Sequence, residues 1–279
     1  VPFVIANSLA LHYRFIEQSA DRPVLVFSNS LGTDMRIWDA MVDDLKNDYG
    51  VLLYDMRGHG LSEAADGSST MADFADDLAG LLDHLSLSSV VLIGVSVGGM
   101  IAQLVAHRRP DLVSALVLCD TAHRIGNASM WRARMTAVES GGIASIADDI
   151  LKRWFSPRYR HTDNAAYFGY RTMLCRQPAE GYIDVCRAIS ETDLEHSSAA
   201  LSLPVLCAVG DSDGSTPPAV VQSLADLITD SRFVIIDDAG HLPCIEQPVE
   251  LAGHVRRFVE SVRCAPGEKN GGEVNVRGL

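Results

Sequence analysis

The chain has 279 residues, with 23 basic against 36 acidic side chains and a formal net charge of −13. Such a surface repels nucleic acid and anionic membrane, and no apolar run reaches the roughly 18 residues that a bilayer span requires. With 47% hydrophobic residues, the length suits one large α/β domain with an insertion, or two small domains.

The opening stretch, Val1 to Arg14, reads as a strand. It lacks the basic start and long apolar run of a signal peptide. Short, continuously apolar runs follow at Pro23–Phe27, Tyr49–Asp55, Val90–Gly94, Ala115–Cys119, Val205–Val209 and Phe233–Ile236. Continuous rather than alternating apolarity predicts parallel strands covered on both faces. Between them lie helical patterns. Met71–Leu85 puts Phe74, Leu78, Leu81, Leu82 and Leu85 on one face. Gly98–Arg108 stops before Pro110, Pro217–Ile228 starts on prolines suited to a first turn, and Val249–Val262 closes the fold.

From about His123 to Ser198 no strong strand signal occurs. Helical patterns rich in Trp131, Trp154, Phe155, Tyr159, Tyr167 and Tyr182 fill the stretch. The expected organisation is an α/β core over 1–122 and 200–264, a helical lid inserted at 123–199, and a mobile tail at 265–279, where glycine and charge dominate. The six cysteines form no CxxC pair, so zinc spacing is absent. Several sit inside apolar runs, which reads as reduced core thiols in a cytoplasmic protein. The pattern leaves room for a homo-oligomer.

Chemistry concentrates at the ends of the predicted strands. Gly94-Val-Ser96-Val-Gly98 follows a strand and opens a helix, the context that gives G-x-S-x-G its meaning. A serine on such a sharp turn has strained backbone angles, and side chains two residues away would collide, hence Gly94 and Gly98. Serine needs a base. Gly240-His241 follows the Phe233–Ile236 strand and would present an imidazole at the same sheet edge. The base in turn needs an acid. Asp213, in the turn after Val205–Val209, is the first choice, with Asp211 as a turn former and Asp120 as a rival after the preceding strand. Two N–H donors for an oxyanion would be Val97, next to the nucleophile, and Leu31, in the loop after Phe27.

These residues are similar to the α/β-hydrolase family over nearly the whole chain to about Val262. Tyr54-Asp-Met-Arg-Gly-His-Gly-Leu-Ser62, the elbow, and Gly240-His241 through Glu246-Gln-Pro248 carry the likeness. Those motifs recur across esterases, epoxide hydrolases and dehalogenases, so they imply a fold and not a substrate. Ser28-Asn-Ser-Leu-Gly-Thr-Asp34 with Trp38 resembles the oxyanion segment of 3-oxoadipate enol-lactone hydrolases. So does the lid, at Asp120-Thr-Ala, Arg124-Ile-Gly126, Trp131, Arg134, Arg153-Trp-Phe155 and Gly181-Tyr182. Departures are Val-Ser-Val at the elbow, Asp120 in place of asparagine, and Asp211-Ser212 before Asp213. The resemblance implies opening of a small anionic lactone by Ser96, Asp213 and His241, with no metal or organic cofactor. Such a substrate needs a cation to receive its carboxylate. Arg134 and Arg153 are the candidates, with Trp131 and Trp154 as neighbouring walls. Alternatives are a general carboxylesterase or lactonase on neutral esters, a carbon–carbon bond hydrolase, a cofactor-free haloperoxidase, or a ligand-binding receptor on the same fold.

Overall fold

A computed structural model describes residues 2–19 and 22–264, so the expected tail at 265–279 lies outside the described residues. The strands are β1 (Phe3–Ala6), β2 (Leu9–Ile16), β3 (Val24–Ser28), β4 (Gly50–Tyr54), β5 (Val90–Val95), β6 (Val113–Cys119), β7 (Val205–Gly210) and β8 (Ser231–Ile236). They form one sheet in the order β1-β2-β4-β3-β5-β6-β7-β8. β1, β2 and β4 pair antiparallel, and every other neighbour pair is parallel.

The helices are α1 (Asp39–Leu45), α2 (Met71–His84), α3 (Val97–Arg108), α4 (Ala128–Gly141), α5 (Ala147–Trp154), α6 (Ala165–Cys175), α7 (Ala179–Ser190), α8 (Glu195–Ala199), α9 (Pro218–Leu227), α10 (Pro243–Glu246) and α11 (Pro248–Cys264). One group, α2, α3, α8 and α9, packs in series on β5 to β8, while α1, α10 and α11 pack together and reach β6 and β7. The sheet is thus covered twice, which is why every residue of β4, β5 and β7 is buried. Local chemistry agrees with these elements. Thr70 and Asp73 form a reciprocal capping box at the start of α2, a device that satisfies two otherwise orphaned N–H groups. Asn127 caps α4 by accepting from Met130 N–H at 3.0 Å.

The strand order creates the site. β3 lies between β4 and β5, so the chain leaves β3 to one side and returns on the other. In an open parallel sheet, the crevice at such a switch point is where ligands bind, beyond the carboxyl ends of the strands. Here Ser28 is in register with Gly94, so the loop after β3 and the turn after β5 emerge side by side.

Three features differ from the sequence reading. The opening run is a hairpin, β1 and β2, joined at Asn7 (φ 48°) and Ser8 (φ 67°). Two consecutive left-handed residues are the tight hairpin turn, usually marked by Asn-Gly or Asp-Gly, and serine in the second place hid it. β8 forms the sheet edge and is only partly covered, with Ile235 46% exposed. Its apolar run had suggested burial on both faces. Helix α1 was also not anticipated. The inserted helices α4 to α8 lie between β6 and β7 and form a lid region. Among the described residues five cysteines are free: Cys119, Cys186, Cys207 and Cys244 are buried and Cys175 is half-buried.

Candidate active site

Ser96 stands between β5 and α3 at φ 58°, ψ −122°. That region is costly for a residue with a Cβ and persists only where its surroundings impose it. The surroundings are close. A Cβ on Gly94 would strike the backbone of Gly98, and one on Gly98 would strike the backbone of Ser28. A Cβ on Gly99 would meet Thr121, whose hydroxyl donates to the Ser96 carbonyl at 2.6 Å. The turn is therefore clamped by β3 on one side and by the end of β6 on the other. Val97 is the first helical residue of α3, where the N–H has no acceptor within the helix.

The loop after β3 is held by Asn29. Its side chain donates to the Tyr54 carbonyl at 2.8 Å and accepts from Trp38 Nε1 at 2.9 Å. One turn later, Gly32 N–H donates to His59 Nε2 at 3.0 Å. Burial lowers the His59 pKa to about 4, which keeps that nitrogen a neutral acceptor. Leu31 is thereby fixed between two anchored residues.

His241 Nδ1 lies 2.9 Å from Asp213 Oδ2. Asp213 Oδ2 also accepts from the Thr216 hydroxyl at 2.7 Å, and Oδ1 accepts from the N–H groups of Ser215 at 2.6 Å and Thr216 at 3.1 Å. Burial pushes the Asp213 carboxyl up, but the facing His241 and these donors outweigh it and hold it below the usual range. The His241 main chain is fixed from the lid side too: its backbone N–H donates to the Trp154 carbonyl at 2.8 Å.

Asp120 is fully buried at φ 47°. Its Oδ1 accepts from Gly210 N–H at 2.9 Å, and Oδ2 has no hydrogen-bond partner among the described residues. Burial and the nearby Asp213 charge hold its carboxyl well above the usual range. A donor atom from each of Asp120, Asp213 and His241 lies within 4.8 Å of the others. A metal there would have to break the His241–Asp213 bond and displace donors from Asp213, so the donor set does not fit a resident ion. Asp211, the other acid of this turn, accepts from Ala239 N–H at 3.2 Å.

A cavity of about 130 Å³ opens on this constellation. Ser96, His241, Leu31, Trp131, Arg134, Arg153 and Trp154 all line it, while Asp213 stands behind His241 and Val97 is buried beside Ser96. Arg134 stacks over the Trp131 ring at 4.6 Å. Among the described residues neither Arg134 nor Arg153 is paired with a carboxylate. Sequence reasoning missed Thr216 and Tyr182. Thr216 binds Asp213 and lies 3.4 Å from His241, and a hydroxyl three residues past a turn aspartate was its only signal. Tyr182 is buried in the cavity wall. Burial pushes its phenol up, against the positive charges of Arg134 and Arg153.

This architecture, a serine elbow after the fifth strand with a histidine and an acid from later strand ends, defines a class. The chain belongs to the α/β-hydrolase fold family, whose model matches residues 23–138. It is 34% identical to 3-oxoadipate enol-lactonase 2 of Acinetobacter baylyi, over 87% of this chain and 90% of that protein. The structure is similar to the enol-lactonase from Burkholderia xenovorans, with TM-score 0.89 and 34% identity over 93% of this chain and 100% of that one. It is also similar to a thermophilic esterase from Thermogutta terrifontis, with TM-score 0.86 and 30% identity over 94% of this chain and 98% of that one.

Proposed function

We propose that the protein is a serine carboxylic-ester hydrolase for small esters and lactones. The observation that carries this reading is the single cavity shared by Ser96 and His241, with His241 bonded to the buried Asp213 carboxylate. Nδ1–H of His241 donates to Asp213, which leaves Nε2 as the base. Ser96 Oγ attacks the carbonyl carbon while Nε2 takes its proton. The N–H groups of Val97 and Leu31 receive the oxyanion, a contribution of roughly 3–4 kcal/mol per donor in such sites. The tetrahedral intermediate collapses, the C–O bond to the leaving group breaks, and His241 returns the proton to that oxygen. Water then repeats the sequence on the acyl-enzyme. A cavity of about 130 Å³ limits the substrate to a small acyl group or a lactone ring.

A second, narrower reading is opening of 3-oxoadipate enol-lactone to 3-oxoadipate. It is favoured by the two guanidiniums in the wall, neither with a carboxylate partner among the described residues, and by the likeness to the Acinetobacter 3-oxoadipate enol-lactonase. In a protein of net charge −13, a cavity walled by Arg134 and Arg153 is suited to an anionic lactone. One experiment separates the readings. Enol-lactone generated from muconolactone is offered to the wild type and to Ser96→Ala, and loss of ultraviolet absorbance is followed. Arg134→Ala is then compared on this substrate and on a p-nitrophenyl ester. The narrow reading expects kcat/KM to fall about 10-fold or more for the lactone and less than threefold for the ester, given charge-assisted bonds of about 1.5–3 kcal/mol. Equal losses on both substrates leave the general esterase. No turnover of either substrate by the wild type overturns both.

A further inference from the structure

A second cavity, of about 420 Å³, shares no wall residue with the catalytic one. It lies between His12 and Arg14 of β2, the segment Asp34–Arg36, the loop from Asp55 to Leu61, and the end of α6 with Arg176. Its volume falls within the range of small-molecule sites, about 300–1,000 Å³.

Three buried side-chain nitrogen or oxygen atoms lack a partner among the described residues: His12 Nε2, Arg14 Nε and Asp120 Oδ2. The first two belong to the wall of this cavity. The His12 side chain is only 9% exposed, and its Nδ1 faces Asp55 Oδ2 at 2.6 Å. Arg14 uses Nη2 on Asp39 at 3.0 Å and leaves Nε unmatched. Arg14 Nε is an N–H without an acceptor, which is costly when buried, and His12, whose Nδ1–H goes to Asp55, presents the lone pair of Nε2 for a proton that a ligand brings, so the pair marks a place that a carboxylic acid would satisfy.

The acids of the wall are already spent. Asp55 accepts from His12, from Met35 N–H at 2.9 Å and from Leu61 N–H at 3.0 Å. Asp34 is held by the Arg36 guanidinium at 2.8 and 2.6 Å. Arg176, exposed at the rim, has no carboxylate partner among the described residues. The unmatched groups are therefore one N–H, at Arg14, and one imidazole lone pair, at His12, and with Arg176 at the rim the site favours a carboxylic acid over a metal cation. Gln177 is likewise occupied, accepting from Gly60 N–H at 3.0 Å and donating to the Met173 carbonyl at 3.3 Å, and the apolar part of the wall is Met35, Met173 and Leu61, the last 65% exposed.

We propose that this cavity binds a small organic monocarboxylate with an apolar body. The acid binds as its carboxylate on Arg14 and Arg176 with its proton resting on His12 Nε2, and the body lies against Met35, Leu61 and Met173. The loop that forms the floor also carries His59, which holds Gly32 beside the oxyanion residue Leu31. The ligand would thus rest one residue from a contact that supports the catalytic loop.

The test uses the full chain with Ser96 diethylphosphorylated, so that the catalytic cavity is closed. Benzoate and hexanoate are titrated while amide and imidazole NMR signals are followed. If no Ser96 adduct forms, the hydrolase reading has failed independently, and the Arg134→Ala/Arg153→Ala protein serves for the same titration. The proposal expects saturable binding, with shifts at the Met35 and Leu61 amides and the His12 ring. Arg176→Ala and Leu61→Glu, both at exposed positions, should each weaken it at least fivefold. Absence of saturation, shifts confined to the catalytic cavity, or unchanged affinity in both variants overturns the proposal.

Discussion

Replacing Asp213 by asparagine tests the logic of the site most sharply, because the geometry dictates how the amide must sit. Asp213 Oδ1 accepts two backbone N–H groups, from Ser215 and Thr216. An amide nitrogen placed there would face two donors, each buried and left without an acceptor, at about 1–3 kcal/mol apiece. The asparagine oxygen must therefore take the Oδ1 place, and its NH₂ must take the Oδ2 place. There it meets the Thr216 hydroxyl, which can rotate to accept, and His241 Nδ1. To accept from an NH₂, Nδ1 must present its lone pair. The imidazole proton then sits on Nε2, the nitrogen needed as a base toward Ser96. The expected loss is tautomeric rather than structural, and kcat should fall by roughly 10³–10⁴, while the melting temperature moves by only a few degrees. The assay is hydrolysis of p-nitrophenyl acetate by Asp213→Asn and Asp120→Asn side by side, with thermal melts of each. If Asp213→Asn keeps activity within about tenfold and Asp120→Asn collapses, Asp120 is the acid and the reasoning is refuted.

Two further outcomes follow from the buried polar groups. Asn29→Ala removes the partner of the Tyr54 carbonyl and of the Trp38 indole N–H, so chemical denaturation should show a loss of about 2–6 kcal/mol, taking 1–3 for each orphan. A loss under about 1 kcal/mol would mean that water or a shifted loop replaces both bonds. Asp120→Asn should raise the melting temperature at pH 8. The folded state holds the Asp120 proton to higher pH than the unfolded chain does, so stability declines as pH rises from the unfolded carboxylate range, about 4, toward the raised folded value. Asparagine carries no such penalty and still offers an oxygen to Gly210. The advantage should shrink as pH falls toward 4, and a variant that melts below wild type at pH 8 contradicts the sign.

What was legible in the chain was whatever is written in local pattern. The central strands show as unbroken apolar runs because both sheet faces are covered. The elbow shows because a strained serine turn excludes Cβ atoms at Gly94 and Gly98. Where the pattern depends on a partner far along the chain, the sequence was silent. The contact of His12 with Asp55 spans 43 residues, and nothing near His12 distinguishes it from a surface histidine. Glu246 stands in the sequence only as part of the stretch from Gly240 to Pro248 that carries the family likeness, yet its carboxylate binds Gly240 N–H at 2.7 Å and the Ser156 hydroxyl at 2.6 Å, 90 residues away. Asp120 and Asp213 both follow strands, and only the packing reveals which one faces His241.

Those long-range contacts join the lid to the catalytic loops. The last residues of α5 offer their carbonyls to the core: Arg153 accepts from Gly214 N–H at 3.2 Å, and Trp154 accepts from His241 N–H at 2.8 Å. Two residues later Ser156 is tied through Glu246 to Gly240. A Cβ on Gly240 would strike the Trp154 carbonyl, so the histidine loop approaches the helix end as closely as backbone permits. The same four-residue stretch thus sets the place of His241 by its main chain and lines the cavity by its side chains, Arg153 and Trp154. A change in the lid that moves this helix end must move the base with it. Substrate fit and proton transfer are consequently coupled at α5, whereas Arg134, on α4, lines the cavity without such a bond to the histidine loop. Of the two guanidiniums that line the cavity, Arg134 is therefore the one whose replacement should leave the base in place.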